Sequence, residues 1–284
     1  MPEHALDGQS ALITGGGGGL GRAAAIALAR DGAAVMIMGR NEDTLRRAKQ
    51  LIREEAGDQA VVEYFAGDGL DAEQVAAAVS ATTALEGRFA MAVAVVGGGA
   101  GMKPLLMSEA DEFASVLNRN VVSAFLLIKH ATPPMVSGGG GAIVCVSSTA
   151  AHLPWPLLAS YAVGKAGVEA LVKTAAAELG PLGVRVNAVR PGLTESGGNP
   201  RMFQPGTVER FIAEKPLGRT GVPADIAGGI RYLVGPESSW VTGQSLAIDG
   251  GHELTKAPDL LDVARELYGD GPVEAALRGR IPAT

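Results

Sequence analysis

One cysteine, Cys145, is all the thiol in 284 residues, so no disulfide can form within the chain. It lies in the apolar run Ala142 to Val146 and reads as a reduced core thiol, the usage of an intracellular protein. Lysine and arginine nowhere cluster. With a formal net charge of -6 and a pI near 5.3, this excludes nucleic acid and anionic membrane as principal partners. No apolar run approaches the length of a membrane span, and no charged segment followed by an apolar one opens the chain as a secretory signal would. The four histidines show no metal-ligand spacing. The expectation is a soluble, cytoplasmic protein with no metal, no nucleic-acid partner and no membrane partner.

What the chain has is small and apolar. Forty glycines and 47% hydrophobic residues, with 4% aromatics, suit close packing of helices on a sheet. Seven short apolar stretches read as strands: 10–14, 33–38, 61–65, 89–96, 142–146, 184–189 and 245–248. Helical periodicity separates them, over 20–30, 41–55, 71–85, most of 108–136 with a break at Pro133-Pro134, 160–179 and 223–233. Alternating strands and helices imply an α/β fold, a single doubly wound domain over 1–251 with a mostly parallel seven-stranded sheet and helices on both faces. Residues 193–215 lack clear periodicity, apart from a short helix near 208–213, and read as a substrate loop or lid. The extension 252–284 carries Leu260, Leu261, Ala264, Leu267 and Tyr268 at helical spacing, with a second short helix near 273–277. It should dock on the same domain or at an oligomer interface.

Between the first strand and helix lies Gly15 to Gly19, then Leu20 and Gly21. Glycines there let backbone approach a pyrophosphate, and the helix N-terminus favours its charge, so Gly15, Gly17, Gly18, Gly19, Leu20 and Gly21 form a candidate phosphate cradle. The second strand ends at Gly39-Arg40, where dinucleotide folds place an acid for a ribose 2′-hydroxyl or an arginine for a 2′-phosphate. Arg40 therefore favours NADP(H) over NAD(H), with Arg22 as a second cation; nearby Glu42 and Asp43 weigh the other way. Asp68-Gly69 follows the third strand, and its carboxylate either accepts from an adenine amino group or begins the next turn. Gly97, Gly98 and Gly99 follow the fourth strand, Ser147-Ser148 the fifth, and Pro191-Gly192, with Thr194 and Ser196 beyond, the sixth. In a doubly wound sheet these all fall on one edge, where ligands bind.

Helical spacing after Ser160 puts Tyr161 and Lys165 one turn apart on the same face. A free phenol titrates near pH 10, and bringing it to about 7 requires about 4 kcal/mol of extra stabilisation of the phenolate. An ammonium about 4 Å away supplies about that much in a partly dry cleft and only about 1 kcal/mol in water. Asn120 sits among apolar neighbours and needs partners, either local backbone or a held water.

Together these residues resemble the short-chain dehydrogenase/reductase family over about 10–251: T-G-x-x-x-G-x-G as Thr14, Gly15, Gly19 and Gly21; Asp68; Asn120; Ser148; Y-x-x-x-K as Tyr161 and Lys165; R-V-N-x-x-x-P-G from Arg185 to Gly192; and the closing D-G-G. The resemblance implies a Rossmann-type oxidoreductase that moves a hydride between NADP(H) and a small ketone or secondary alcohol, and a homotetramer or homodimer. It implies Tyr161 as acid/base, Lys165 as the group that lowers its pKa and holds the nicotinamide ribose, Ser148 on the substrate oxygen and Asn120 holding a water in the proton relay. Thr194 and Ser196 become candidates for the carboxamide or diphosphate, and Asn187 for support of the sheet edge. Trp155, Leu153, Leu157 and Leu158 wall an apolar pocket or pack beneath the loop.

Two features depart from the family pattern. Val96-Gly97-Gly98-Gly99 replaces the usual N-N-A-G, removing side chains that steady the central sheet, and the extension beyond Gly251 exceeds the family core. A rival reading is a dinucleotide sensor or scaffold that keeps the fold without turnover; Ser148, Tyr161 and Lys165 together argue against it.

Overall fold

The computed structural model describes residues 4–99, 101–197, 203, 206–213, 215–255 and 260–281. Parts of the 193–215 loop and of the 252–284 extension read from the sequence therefore lie outside the described residues. The apolar stretches become β1 (Gln9–Thr14), β2 (Ala34–Gly39), β3 (Val62–Ala66), β4 (Arg88–Ala94), β5 (Gly141–Val146), β6 (Val184–Pro191) and β7 (Ser245–Ile248). They form one all-parallel sheet in the order β3-β2-β1-β4-β5-β6-β7.

Both faces of the sheet are covered, which is why the strands are apolar throughout instead of alternating with polar residues. Ala11 and Ile13 of β1 face one way, with Met91, Val93 and Val144. Against them pack α1 (Gly19–Arg30), α2 (Glu42–Ala56) and, from the far end of the chain, α8 (Pro223–Val234). Leu12, Ala92, Ile143 and Cys145 face the other way, towards α3 (Ala72–Thr83), α5 (Ser123–Ser137) and α6 (Ala159–Leu179). Cys145 is fully buried there, and burial pushes its thiol up to about 12. The remaining helices are α4 (Ala110–Leu117), α7 (Thr207–Ala213), α9 (Leu261–Tyr268) and α10 (Asp270–Leu277).

Local chemistry sets several helix ends. Asn41 and Asp71, read from the sequence as first helical residues, are the caps: Asn41 Oδ1 accepts from Thr44 N–H at 2.8 Å, and Asp71 Oδ1 from Glu73 and Gln74 N–H. The expected break at Pro133-Pro134 does not occur, and α5 continues to Ser137. The carbonyls that lose their donors belong to Lys129 and His130, and Lys129 and Pro133 are exposed, so that side is open to solvent while buried Thr132 and Met135 hold the other. Between α4 and α5 the helix widens over Asn118–Val122 into a π turn that the periodicity does not disclose.

The strand order reverses between β1 and β4, opening a crevice at their carboxyl ends. The crossovers deliver the glycine turn, Gly97–Gly99, Ser147-Ser148 and Gly192 to that edge. The glycine run 137–141 lies at the opposite end of the sheet, where Gly141 N–H donates to Gly183 O at 3.1 Å.

Candidate active site

A cavity of about 690 Å³ fills the crevice. One wall is the turn from β1 into α1. Gly15 takes a left-handed φ of +71°, and a Cβ on Gly21 would fall 2.4 Å from the Gly15 carbonyl, so the turn closes only with glycine at both places. The first turn of α1 has no acidic residue, and no side chain caps its N-terminus, which begins at Gly18. Its free N–H groups therefore open on the cavity beside Gly18, Gly19, Leu20 and Gly21. Pro191, Gly192, Leu193, Thr194 and Ser196 also line it, and the Ser196 carbonyl stands only 2.5 Å from where a Cβ on Gly19 would be, so Gly19 too must be glycine. This anion-favouring, side-chain-free cradle fits the diphosphate of a dinucleotide.

Across the crevice, α6 presents Tyr161 and Lys165 on one face, with Lys165 Nζ 5.7 Å from the Tyr161 ring centre. The Ser148 hydroxyl lies close enough to the Tyr161 hydroxyl to lower its pKa. Lys165 is buried, and its Nζ donates to the Val146 carbonyl at 2.7 Å, tying α6 to the end of β5. Burial brings Lys165 down to about 8, with Cys145 acting weakly in the other direction. The sequence reading has Lys165 lowering the phenol; in the folded protein burial raises Tyr161 above its ordinary value, and the Ser148 hydroxyl is what opposes it. The ammonium is itself partly desolvated and directed at a backbone carbonyl, which limits its reach to the phenol.

Asn120 is brought inward by the π turn and is buried. Its Nδ2 donates to Gly98 O at 2.9 Å and Val116 O at 2.8 Å, and its Oδ1 accepts from Gly98 N–H at 3.3 Å. This one side chain clamps both backbone groups of Gly98, supplying the rigidity that the missing side chains of 96–99 would otherwise give. A Cβ on Gly97 would fall 2.7 Å from Asn120 Oδ1 and 2.9 Å from Lys165 Nζ, so the two reach each other only past a glycine.

Of the residues singled out from the sequence, Gly15, Gly18, Gly19, Leu20, Gly21, Gly97, Gly98, Gly99, Ser148, Tyr161, Lys165, Pro191, Gly192 and Thr194 line this cavity. Gly17 packs towards Thr44, and Gly69 is buried against Val96. Gly39, Arg40 and Asp68 lie beyond the lining, towards β2 and β3. Asp68 Oδ1 accepts from Leu70 N–H at 3.0 Å, the turn-forming alternative, while the cap of α3 is Asp71. Arg40 is exposed, and no ion pair to it occurs among the described residues. Glu42 and Asp43, which weighed against it, are both engaged by Arg46. Asn187 supports the sheet edge, with Nδ2 donating to Val241 O at 2.8 Å and Oδ1 accepting from Gln244 N–H at 3.0 Å.

Trp155 and Leu158 wall the cavity as expected, Leu157 packs behind it, and Met102, Leu193 and Phe203 join them. Of these three only Leu193 stands just after a strand end, two residues beyond β6; Met102 and Phe203 lie well inside the following segments, where the sequence offers no signal. Beneath Ser148 lies a polar cluster that the sequence did not suggest. Buried Glu169 accepts from Ser147 Oγ at 2.9 Å and Ser245 Oγ at 2.8 Å, and its Oε2 lies 2.6 Å from His152 Nε2. Arg190 lies 3.7 Å from it and makes a bidentate pair with Glu253 at 2.6 and 2.9 Å. Among the described residues no cluster of metal-ligating side chains occurs, and no helix is long and apolar enough to cross a membrane.

Known proteins are similar to this chain over most of its length. The family profile described as "Enoyl-(Acyl carrier protein) reductase" matches residues 16–253. The 7alpha-hydroxysteroid dehydrogenase of Escherichia coli is 33% identical over 246 residues, 87% of this chain and 94% of that protein. A short-chain type dehydrogenase/reductase from Mycobacterium ulcerans superposes with a TM-score of 0.90 at 33% identity, covering 96% of this chain and 98% of that one. A 7 alpha-hydroxysteroid dehydrogenase complexed with NADH and 7-oxo glycochenodeoxycholic acid superposes with a TM-score of 0.82 at 31% identity, covering 88% and 96%. A glycine cradle, a Tyr-Ser-Lys cluster at the same sheet edge and these likenesses over most of the chain place it in the short-chain dehydrogenase/reductase family of oxidoreductases.

Proposed function

We propose that the protein transfers a hydride between NADP(H) and a carbonyl or secondary alcohol, with Tyr161 as acid/base. The observation that carries this reading is the meeting of Tyr161, Ser148 and Lys165 at one end of a cavity whose other end is the uncapped N-terminus of α1. Bound along that cavity, the dinucleotide supplies or accepts the hydride. In reduction the Tyr161 hydroxyl gives its proton to the carbonyl oxygen, and in oxidation it takes one from the alcohol. The Ser148 hydroxyl donates to the same oxygen and orients it. Lys165, held by Val146 O, stabilises the phenolate left behind and donates to the nicotinamide ribose. Asn120 keeps one lone pair on Oδ1 beyond its contact with Gly98, and holds the water that returns the proton.

The preference for NADP(H) rests on Arg40, exposed and clear of Glu42 and Asp43, with Arg22 near the same end of α1. Arginine there pairs a 2′-phosphate and leaves a bare 2′-hydroxyl without its acidic partner. The similar structure that holds NADH makes this a property to be tested on this chain. Residues 1–251 form the catalytic domain and 252–284 its extension. The chain works in the cytoplasm as a homotetramer or homodimer, a reading supported by the exposed Trp240, Leu246 and Leu254 near the edge strand β7. Following NADPH absorbance against a panel of ketones, and NADP+ reduction against the matching alcohols, tests the assignment. Tight cofactor binding with no turnover of any substrate would favour the sensor or scaffold.

A further inference from the structure

Tyr161, Lys165 and Glu169 follow one another at intervals of four along α6, so a single stripe of the helix carries the phenol, the ammonium and a carboxylate. The Glu169 carboxylate is buried. It holds the segment after β5 at two places, with Ser147 Oγ donating to Oε1 at 2.9 Å and His152 Nε2 lying 2.6 Å from Oε2. Ser148 lies between these anchors. The residues from 148 to 152 form one tight turn, in which Ala150 N–H donates to Ser148 Oγ at 3.2 Å, Ala151 N–H to Ser148 O at 2.9 Å and His152 N–H to Thr149 O at 3.0 Å. A shift at either anchor therefore passes to the Ser148 hydroxyl.

Burying a carboxylate is costly unless it is paired and hydrogen-bonded, and an apolar side chain of similar volume often packs a helix on a sheet as well or better. The fold meets that cost from the far side of Glu169: Ser245 Oγ on β7 donates to Oε1 at 2.8 Å, and Arg190 Nη1 lies 3.7 Å from the same oxygen. Glu253 holds Arg190 in turn. What an apolar side chain cannot do is accept from both ends of the turn that carries Ser148. Ser147, Ser148, Thr149 and Ala150 line the cavity, whereas Glu169 and His152 stand outside its described lining. Any effect of that pair on the chemistry passes through its neighbours.

We infer that Glu169 is a positioning residue: through Ser147 and His152 it holds the turn that orients the Ser148 hydroxyl beside Tyr161. This rests on the hydride-transfer reading above. Ser245 reaches the same carboxylate from β7 without touching the turn, so removing its hydroxyl loosens the cluster and leaves Ser148 in place.

The test uses the full chain, NADPH and whichever ketone of the panel the wild type turns over, with urea stability measured alongside. Glu169→Ala should lower kcat by about a hundredfold and His152→Ala by about tenfold, the scale on which a displacement of about 1 Å slows a reaction. The ketone KM and the NADPH dissociation constant should stay within about threefold, because only the transition state loses a contact. Glu169→Gln keeps an oxygen for Ser147 and offers an N–H to the other His152 tautomer, and should recover kcat to within about fivefold of the wild type. Ser245→Ala should lose stability and keep its kcat. His152 is half-exposed, so His152→Ala carries the test if Glu169→Ala does not fold. An unaltered kcat in His152→Ala and in folded Glu169→Ala, or an equal fall in Ser245→Ala and His152→Ala, would overturn the inference while leaving hydride transfer intact. A wild type that binds NADPH and reduces no ketone of the panel removes the hydride-transfer reading and the inference with it.

Discussion

The Lys165 ammonium donates to the Val146 carbonyl at 2.7 Å, a bond between the second turn of α6 and the last residue of β5. Ser147 and Ser148 follow Val146 directly, and Ser147 Oγ reaches back to Glu169 on the same helix at 2.9 Å. Strand and helix are therefore pinned at two points, just before Ser148 on the strand side and one and two turns beyond Tyr161 on α6. The placement of the Ser148 and Tyr161 hydroxyls relative to each other is set by these backbone and carboxylate contacts.

Tyr161→Phe removes one oxygen from a half-buried ring and leaves the rest of the cavity lining in place. Turnover should fall by about 10²- to 10⁴-fold, the range for loss of a positioned general acid, with NADPH affinity retained. Stopped-flow reduction and fluorescence titration of NADPH read the two quantities separately, and a variant as active as the wild type would remove Tyr161 from the chemistry.

Lys165 sets a pH dependence whose sign follows from its burial. Its pKa falls from 10.5 in the open chain to about 8 in the fold, so between those values the unfolded state binds more protons than the native state. Stability from this group therefore rises as pH increases through that window, by up to about 3 kcal/mol, and is flat below it. Urea unfolding of the wild type and Lys165→Met at pH 7.5 and pH 10 should show the wild type gaining on the variant as pH rises; the raised Cys145 thiol works in the opposite direction above pH 9 and cancels in that difference.

Arg40→Ala should weaken NADPH binding by about tenfold, since an exposed charge-assisted phosphate contact is partly screened by solvent, and should leave NADH unchanged. Isothermal titration with both cofactors measures the ratio. The same loss for both would place Arg40 away from the 2′-phosphate.

Glu169→Ala leaves Ser147 and Ser245 without their shared acceptor and His152 without its nearer carboxylate, around a buried void, while Arg190 keeps its pair with Glu253. Breaking a buried charge cluster by removing one partner costs about 3 kcal/mol or more. Chemical denaturation should show that loss, and Glu169→Gln should recover part of it by keeping the hydrogen bonds to the two serines.

Gly97→Ala brings a methyl group within 3 Å of both Asn120 Oδ1 and Lys165 Nζ. Overpacking of about 1 to 3 kcal/mol is expected, together with a lower kcat, because both polar groups must shift. An alanine variant with unchanged Tm and kcat would show that the clamp on Gly98 is dispensable.

Most of the strands and helices could be read from the chain because a doubly wound sheet makes each strand a short apolar run and each helix a one-sided pattern. The errors lay where two physical effects compete. At Pro133-Pro134 the lost hydrogen bonds face water while Thr132 and Met135 stay packed, so the helix continues where the proline rule ends it. In the extension, Val263 occupies the buried position and Leu261 only a half-buried one, because the angle at which α9 docks on Met102 is not written in its own periodicity.

By itself the sequence determined the alternation of strand and helix, the glycine turn at the first crossover, and the Tyr161–Lys165 spacing on one helical face, since each depends on residues near one another in the chain. The tertiary structure alone decided that Asn120 clamps Gly98, that burial raises the Tyr161 hydroxyl, that Glu169 ties β5, β6 and β7 to α6, and that the last helices pack against Met102, Trp155 and Leu158. Those outcomes come from contacts between residues far apart in sequence, and from how much water the fold removes around them, neither of which local patterning encodes.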